Sequence, residues 1–479
     1  MKPPIYTGVK KYISKQRILF TTPGHNGKVI LNSKNFCRLD AASAFETDTL
    51  DTPKGYILDS EYQLMKMYKT SHSYYITNGT SCGIMAMIGS VLNPGDKIIV
   101  DRCCHKSVID AIMLNRLIPV FVGRSYNAEL GIFCGIDTYE LETLLASNSD
   151  AKAVFITSPT YYGVISDIGE IAELAYKYNM LLLVDESHGA HLQFATELPP
   201  SAIEYGADMV LHNAGETLGS MSGGVLLHVN NDTIDLNRVR RTVYTYQSPD
   251  TSNAYLCALE NSIYYAQSKA NRYTKLTREI ERCRSLINDG TDIVWLSDDD
   301  LGAYGGVSDP TRIVLNFSKI GVSALEAARF MQSKSIEPEA AIGSNVVFVA
   351  SLFNSSHDIR KLMTAIMAIY KQFLKKRIEP IEPAPNAPDI NTDVTLACAP
   401  SATMNAGAEL VPQNAVIGRI CKSCVYACPM YVPMIIPGER ITETHLGNID
   451  QFSANGGYIG GLTSSGEFEV ADISAAFGI

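Results

Sequence analysis

The chain has 479 residues, 46% of them hydrophobic, with 40 Lys and Arg against 50 Asp and Glu for a formal charge of -10. That length supports a large core in two or three domains, and the acidic balance argues against nucleic-acid or anionic-membrane surfaces, which need clustered cations. No uninterrupted run of about 18 apolar residues occurs, the N-terminus lacks a signal-type apolar stretch, and the 11 scattered cysteines suit reduced thiols, so a cytoplasmic location is expected.

Residues 1–50 read as an N-terminal arm carrying one turn, Pro23-Gly24-His25-Asn26-Gly27. From Ser73 the pattern changes. Ser73–Thr77 reads as a strand, Asn78–Gly83 as a polar bend and Ile84–Leu92 as an apolar helix, an order that builds an anion cradle from the free N–H groups of a helix start. Lys97–Val100, Pro119–Val122, Ala153–Thr157 and Leu181–Val184 are further apolar strands, with helices predicted up to Leu114 and over 167–178. Continuous apolar strands alternating with helices indicate a parallel sheet covered on both faces. Ligands of such sheets sit at the carboxyl ends of the strands, and Thr80, His105, Tyr161, Asp185, His188 and Glu216 all follow strand ends.

The stretch Ala207–Gly224 leaves a short strand, turns through Asn213-Ala214-Gly215-Glu216-Thr217-Leu218 and returns through glycines into Val225–Val229. Residues 234–289 are predicted mostly helical, with a break at Ser248-Pro249-Asp250. Strands at Thr311–Phe317 and Asn345–Ala350, with helices at Ser323–Gln332 and Asp358–Leu374, form a smaller lobe. The expected division is an arm (1–50), a large domain (51–290), a small α/β lobe (291–378), a Pro-rich linker (379–388) and a C-terminal α+β domain (389–479).

The segments Pro23-Gly24-His25, Asn78-Gly79-Thr80-Ser81, Cys104-His105-Lys106-Ser107, Ser158–Gly163, Asp185-Glu186-Ser187-His188-Gly189-Ala190-His191, Thr217-Leu218-Gly219 and Pro437-Gly438-Glu439 occur in this order. Together they resemble the Orn/Lys/Arg decarboxylase family, in its shorter form without an N-terminal wing. The resemblance implies the aspartate-aminotransferase fold of type I pyridoxal-phosphate enzymes, with that cofactor. It implies that Asp185 pairs with the pyridine nitrogen, His105 stacks on the ring, His188 sits beside it, and Gly79, Thr80 and Ser81 hold the phosphate, with Asn213 at a further phosphate-side position.

The family bend resembles Ser-Thr-His-Lys-Thr-Leu, and its lysine holds the cofactor as a Schiff base. Here Glu216 stands in that position, and the histidine and serine become Gly215 and Asn213. A carboxylate forms no imine and repels a phosphate dianion, so cofactor affinity and turnover should both fall. Further departures are Asn26 in the first turn, Asp40-Ala41-Ala42-Ser43, Pro400-Ser401-Ala402-Thr403-Met404 and Cys428–Pro433. The favoured expectation is a catalytically inactive or regulatory member, a homodimer or a heteromer with an active paralogue, with a basic amino acid or polyamine as ligand and no nucleic-acid or membrane partner. The alternative is an active basic amino-acid decarboxylase, or a related carbon–nitrogen enzyme, that uses the cofactor untethered, with Glu216 or His188 as acid or base.

Three weaker signals remain. Cys421, Cys424 and Cys428 have a spacing that zinc or a cluster could use with His445, or they are small residues on a turn and strand; no metal is expected. Asp298-Asp299-Asp300 reads as a solvated loop, and Lys375-Lys376-Arg377 as a basic helix end.

Overall fold

The computed structural model describes residues 4–28, 36–40, 47–248, 251–374, 380–381 and 394–472. Ala41–Ser43, Pro249-Asp250, Lys375–Arg377 and most of the expected linker lie outside them.

Seven strands form the central sheet: β1 (His72–Ile76), β2 (Lys97–Asp101), β3 (Ile118–Val122), β4 (Ala153–Thr157), β5 (Leu181–Asp185), β6 (Met209–Asn213) and β7 (Val225–Val229). Their order is β1-β7-β6-β5-β4-β2-β3. Neighbours from β6 through β3 pair in parallel, while β7 returns antiparallel between β6 and β1. Alternate residues serve opposite faces. Val154, Val184 and Val210 feed one core, and Phe155, Leu183 and Leu211 the other, so both faces are covered as the apolar runs require.

The predicted bend Asn78–Gly83 is where the structure departs from the sequence expectation. The helix α1 (Gly79–Val91) already begins at Gly79, not at Ile84. A Cβ on Gly83 would stand 2.5 Å from Leu211 Cδ1, so its lack of a side chain admits close packing of helix on strand β6. Gly83 serves that contact, whereas Gly79, at φ +82°, makes the bend into the helix. Helices Tyr56–Tyr68 and Thr138–Ser147 and the hairpin Arg124–Asn127 with Ile132–Ile136 are elements outside the predicted set. That hairpin is tied to the end of β2 by a fully buried ion pair, in which Arg124 Nη2 donates to Asp101 Oδ2 at 2.5 Å and Arg124 Nη1 to Cys134 O at 2.8 Å.

The smaller lobe is an antiparallel sheet of β8 (Val294–Trp295), β9 (Arg312–Asn316), β10 (Ala340–Ile342) and β11 (Asn345–Val349), ordered β8-β9-β11-β10. Ile359, Leu362, Ile366 and Ile369 present one apolar stripe of helix Ser356–Leu374 to its core, beside Trp295, Phe317 and Phe348. The C-terminal region adds β12 (Val425–Cys428), β13 (Val432–Ile435) and β14 (Tyr458–Gly460), ordered β13-β12-β14. Buried Arg102, just past β2, donates to Pro433 O (2.7 Å) and Met434 O (3.2 Å), and Lys106 N donates to Tyr431 O (2.8 Å). These bonds hold the segment Pro429–Val432 over the strand ends. Among the described residues no helix is long and apolar enough to cross a membrane.

Candidate active site

A cavity of about 400 Å³ opens at the carboxyl ends of β2, β4 and β5, walled by all three regions. Gly79, Thr80 and Ser81 line one end as the first turn of α1. The N-cap Asn78 does not cap that turn, since its Nδ2 donates to Tyr246 O at 3.0 Å. Gly79 N donates to Gly223 O at 3.0 Å, so of the first turn the N–H groups of Thr80 and Ser81 are the ones placed for an anion. His105 is the N-cap of α2 (Lys106–Leu114), its Nδ1 accepting from Ser107 N at 3.2 Å. Burial, with Lys106 and His188 close by, pushes its pKa down to about 4, which leaves a neutral ring at pH 7. Asp185 ends β5 and is buried; its Oδ1 accepts from Ser187 N (3.1 Å) and Ser187 Oγ. Burial raises its pKa despite those bonds, as for a carboxyl whose charge lacks a full partner.

Glu216 lies on the one-turn helix Ala214–Thr217 after β6. The turn is braced from below, where Gly24 N donates to Gly215 O at 3.0 Å and a Cβ on Gly24 would stand 2.5 Å from Glu216 O. Glu216 Oε2 meets His188 Nδ1 in a close hydrogen bond, and Oε1 accepts from Asn213 Nδ2 at 3.2 Å. That amide also donates to Thr80 Oγ1 at 2.9 Å, linking Glu216 to the anion end. Burial pushes the Glu216 carboxyl up, but His188, Arg312 and His105 outweigh it and hold it below the usual range. An ionised carboxylate only accepts, so His188 carries its proton on Nδ1.

Arg312 opens β9 and reaches the cavity from the smaller lobe. Gly163 makes room for it: a Cβ there would stand 2.5 Å from Arg312 Cβ. The turn before it is fixed by Asp309, whose Oδ1 accepts from Thr311 N and Oγ1, both at 2.8 Å. The Arg312 Nη2 to Glu216 Oε2 distance is 3.8 Å, an ion pair too long for a hydrogen bond. Its guanidinium stands 5.7 Å from the centre of the Tyr161 ring. Glu339 closes the same side, accepting from Thr22 N (2.7 Å) and Thr22 Oγ1 (3.0 Å).

The family model described as Orn/Lys/Arg decarboxylase, major domain, matches residues 3–296. The chain belongs to this family. An arginine decarboxylase of Bacillus subtilis (strain 168) is 29% identical over 456 residues, covering 93% of this chain and 92% of the relative. Among solved structures, the lysine decarboxylase LdcF of Francisella novicida superposes with a TM-score of 0.79 at 18% identity, over 92% of this chain and 75% of that one. A Sphingomonas wittichii serine palmitoyltransferase does so with a TM-score of 0.59 at 15% identity, over 75% of this chain and 88% of that one. The fold is that of type I pyridoxal-phosphate enzymes, and pyridoxal 5'-phosphate is the cofactor expected of an Orn/Lys/Arg decarboxylase family member.

The predicted positions meet in this decarboxylase-family cavity. Gly79, Thr80, Ser81, His105, Tyr161, Asp185, His188 and Glu216 all line it, and Asn213 bridges Thr80 to Glu216. N–H donors, a neutral imidazole and a buried carboxylate suit the phosphate, ring face and pyridine nitrogen of the cofactor. Among the described residues no lysine lines the cavity. Lys106, next to His105, is turned to Asp110 at 2.7 Å. Arg312, Glu339, Thr22 and Thr157 were missed as site residues by sequence reasoning, whereas Pro429–Val432 lies within the Cys428–Pro433 departure named there. The one available signal was an isolated Arg opening the apolar strand Ile313-Val314-Leu315. Cys421, Cys424, Cys428 and His445 do not gather: Cys421 Sγ contacts Ser423 O at 3.1 Å, and His445 Nδ1 accepts from Thr442 N at 3.1 Å. Among the described residues no group of three or more His, Cys, Asp or Glu is placed to hold a metal.

Proposed function

We propose that this chain is a member of the decarboxylase family in which Glu216 stands at the position of the cofactor-anchoring lysine, and that it acts through binding as an inactive or regulatory subunit. The observation that carries this reading is the Glu216 carboxylate, fixed by His188 and Asn213 where an amine is needed, in a cavity without lysine among its described lining residues. A carboxylate can neither condense with the cofactor aldehyde nor return a proton as an amine does. Asp185, His105 and the start of α1 would hold the cofactor by contacts alone. Pairing with itself or with an active paralogue in the cytoplasm, and a basic amino acid or polyamine as ligand, complete the proposal. The wing-less short form and the domain limits set out above belong to it too.

The test is an absorption spectrum of the purified chain with and without pyridoxal 5'-phosphate, alongside release of carbon dioxide from arginine, lysine and ornithine. No Schiff-base band and no release are expected; robust turnover overturns the reading. The hydrogen-bonded Glu216–His188 pair favours one other reading, an enzyme that uses the cofactor untethered with this pair as acid and base. Turnover that needs added cofactor, with no reducible bond to protein, selects it.

A further inference from the structure

The cavity contains polar atoms that the protein itself leaves unpaired. Arg312 is 4% exposed, yet neither Nη1 nor Nη2 makes a hydrogen bond, and the buried Tyr161 Oη and Thr157 Oγ1 beside it are likewise without partners. A buried guanidinium with an open fork is destabilising on its own and is matched by a carboxylate that can accept two parallel N–H bonds. Glu216 at 3.8 Å balances the charge but does not fill the fork. Its own oxygens keep room for more donors: Oε1 takes Asn213 and Oε2 takes His188, whereas a carboxylate offers about four acceptor sites.

We propose that Arg312 and Glu216 form a clamp for a zwitterion, so that the cavity retains an intact α-amino acid, its carboxylate on Arg312 with Tyr161 and its ammonium on Glu216, with no covalent bond to the protein. This rests on the reading of Glu216 given above and names the ligand that reading leaves open. One carbon separates ammonium and carboxylate in such a molecule, which suits a cation and an anion set side by side. An amine lacking the carboxylate leaves the Arg312 fork unpaired. A phosphate dianion at Arg312 meets the Glu216 charge, and its natural donors are at the other end of the cavity, on α1. The replacement of an amine by a carboxylate thus turns a position for bonding to an aldehyde into one for recognising an ammonium group. The selectivity is for the acid over the amine formed by losing its carboxyl group.

Calorimetric titration of the full chain without cofactor compares L-arginine with agmatine and L-lysine with cadaverine. Each amino acid should bind roughly 10- to 150-fold more tightly than its amine, the range expected for hydrogen bonds to a charged group. Arg312→Met should abolish that ratio, weakening the amino acids while the amines, no longer facing a cation beside Glu216, bind at least as tightly as before; Tyr161→Phe should lower the ratio, and Glu216→Gln should weaken both ligands. Circular dichroism checks that the variants fold; if Arg312→Met does not, Arg312→Lys, which keeps the charge and loses the fork, should still lower the ratio. Equal affinity for acid and amine, an undiminished ratio in the Arg312 variants, or no binding at millimolar ligand overturns the clamp. A Schiff base on the wild-type chain overturns the reading of Glu216 instead, and the spectrum separates the two failures.

Discussion

Glu216→Lys places an amine in the cavity, and the structure sets what that amine should do. Glu216 Oε2 is 3.8 Å from Arg312 Nη2, so an ammonium in its place exchanges an attraction for a repulsion. At an effective dielectric constant of about 20, two unit charges at that distance interact by about 4 kcal/mol. At about 1.36 kcal/mol per unit this lowers the lysine pKa by about 3, from about 10.4 to about 7.5. The amine would be mostly neutral, hence nucleophilic, at pH 8. The assay is incubation of the variant and wild type with pyridoxal 5'-phosphate across about pH 6–11, absorption spectra, borohydride reduction and peptide mass spectrometry. The variant should acquire one reduced pyridoxyl group at residue 216, with formation rising steeply near pH 7.5; wild type should acquire none on a cavity peptide. Adding Arg312→Met should move that rise up by about 3 pH units. A reducible adduct in the wild-type cavity, or a folded Glu216→Lys chain that couples at no pH, refutes the reasoning.

The Glu216 carboxyl is held below its ordinary range, so its stabilising effect is fully present above the unfolded pKa of about 4.3 and is lost as pH falls through the lower folded value. Urea unfolding should show Glu216→Gln less stable than wild type at pH 6, with the gap closing on acidification; a gap independent of pH counts against the ion pair. His105 is shifted in the same direction: its folded pKa of about 4 lies below the unfolded value of about 6.5, so the unfolded chain takes the proton first. Stability should therefore fall with acidification between about pH 6.5 and 4, at up to about 1.4 kcal/mol per pH unit, and His105→Asn should remove that contribution in denaturant titrations. Asp101→Asn leaves Arg124 buried and uncompensated and should cost about 3–5 kcal/mol in the same measurement, a loss under about 1 kcal/mol showing the pair to be dispensable.

The central sheet was legible because its strands are buried on both faces and so must be apolar throughout, as in Val154, Phe155 and Ile156 or Leu182, Leu183 and Val184. Asp185, His188 and Glu216 were legible as candidates because polar residues closing such runs fall at the ligand edge of a parallel sheet. The start of α1 was misplaced because Gly79 and Gly83 carry a local turn signal, while the close approach of Leu211 that requires Gly83 is contributed from residues far along the chain. Charge pairing was invisible for the same reason. The sequence by itself determined that a carboxylate, and not an amine, follows β6, since side-chain chemistry needs no fold to be known. Only the tertiary structure decided what that carboxylate meets beyond Asn213 of its own turn: His188 from the turn after the neighbouring strand β5, and Arg312 from another lobe, at distances set by packing between segments that no local pattern relates.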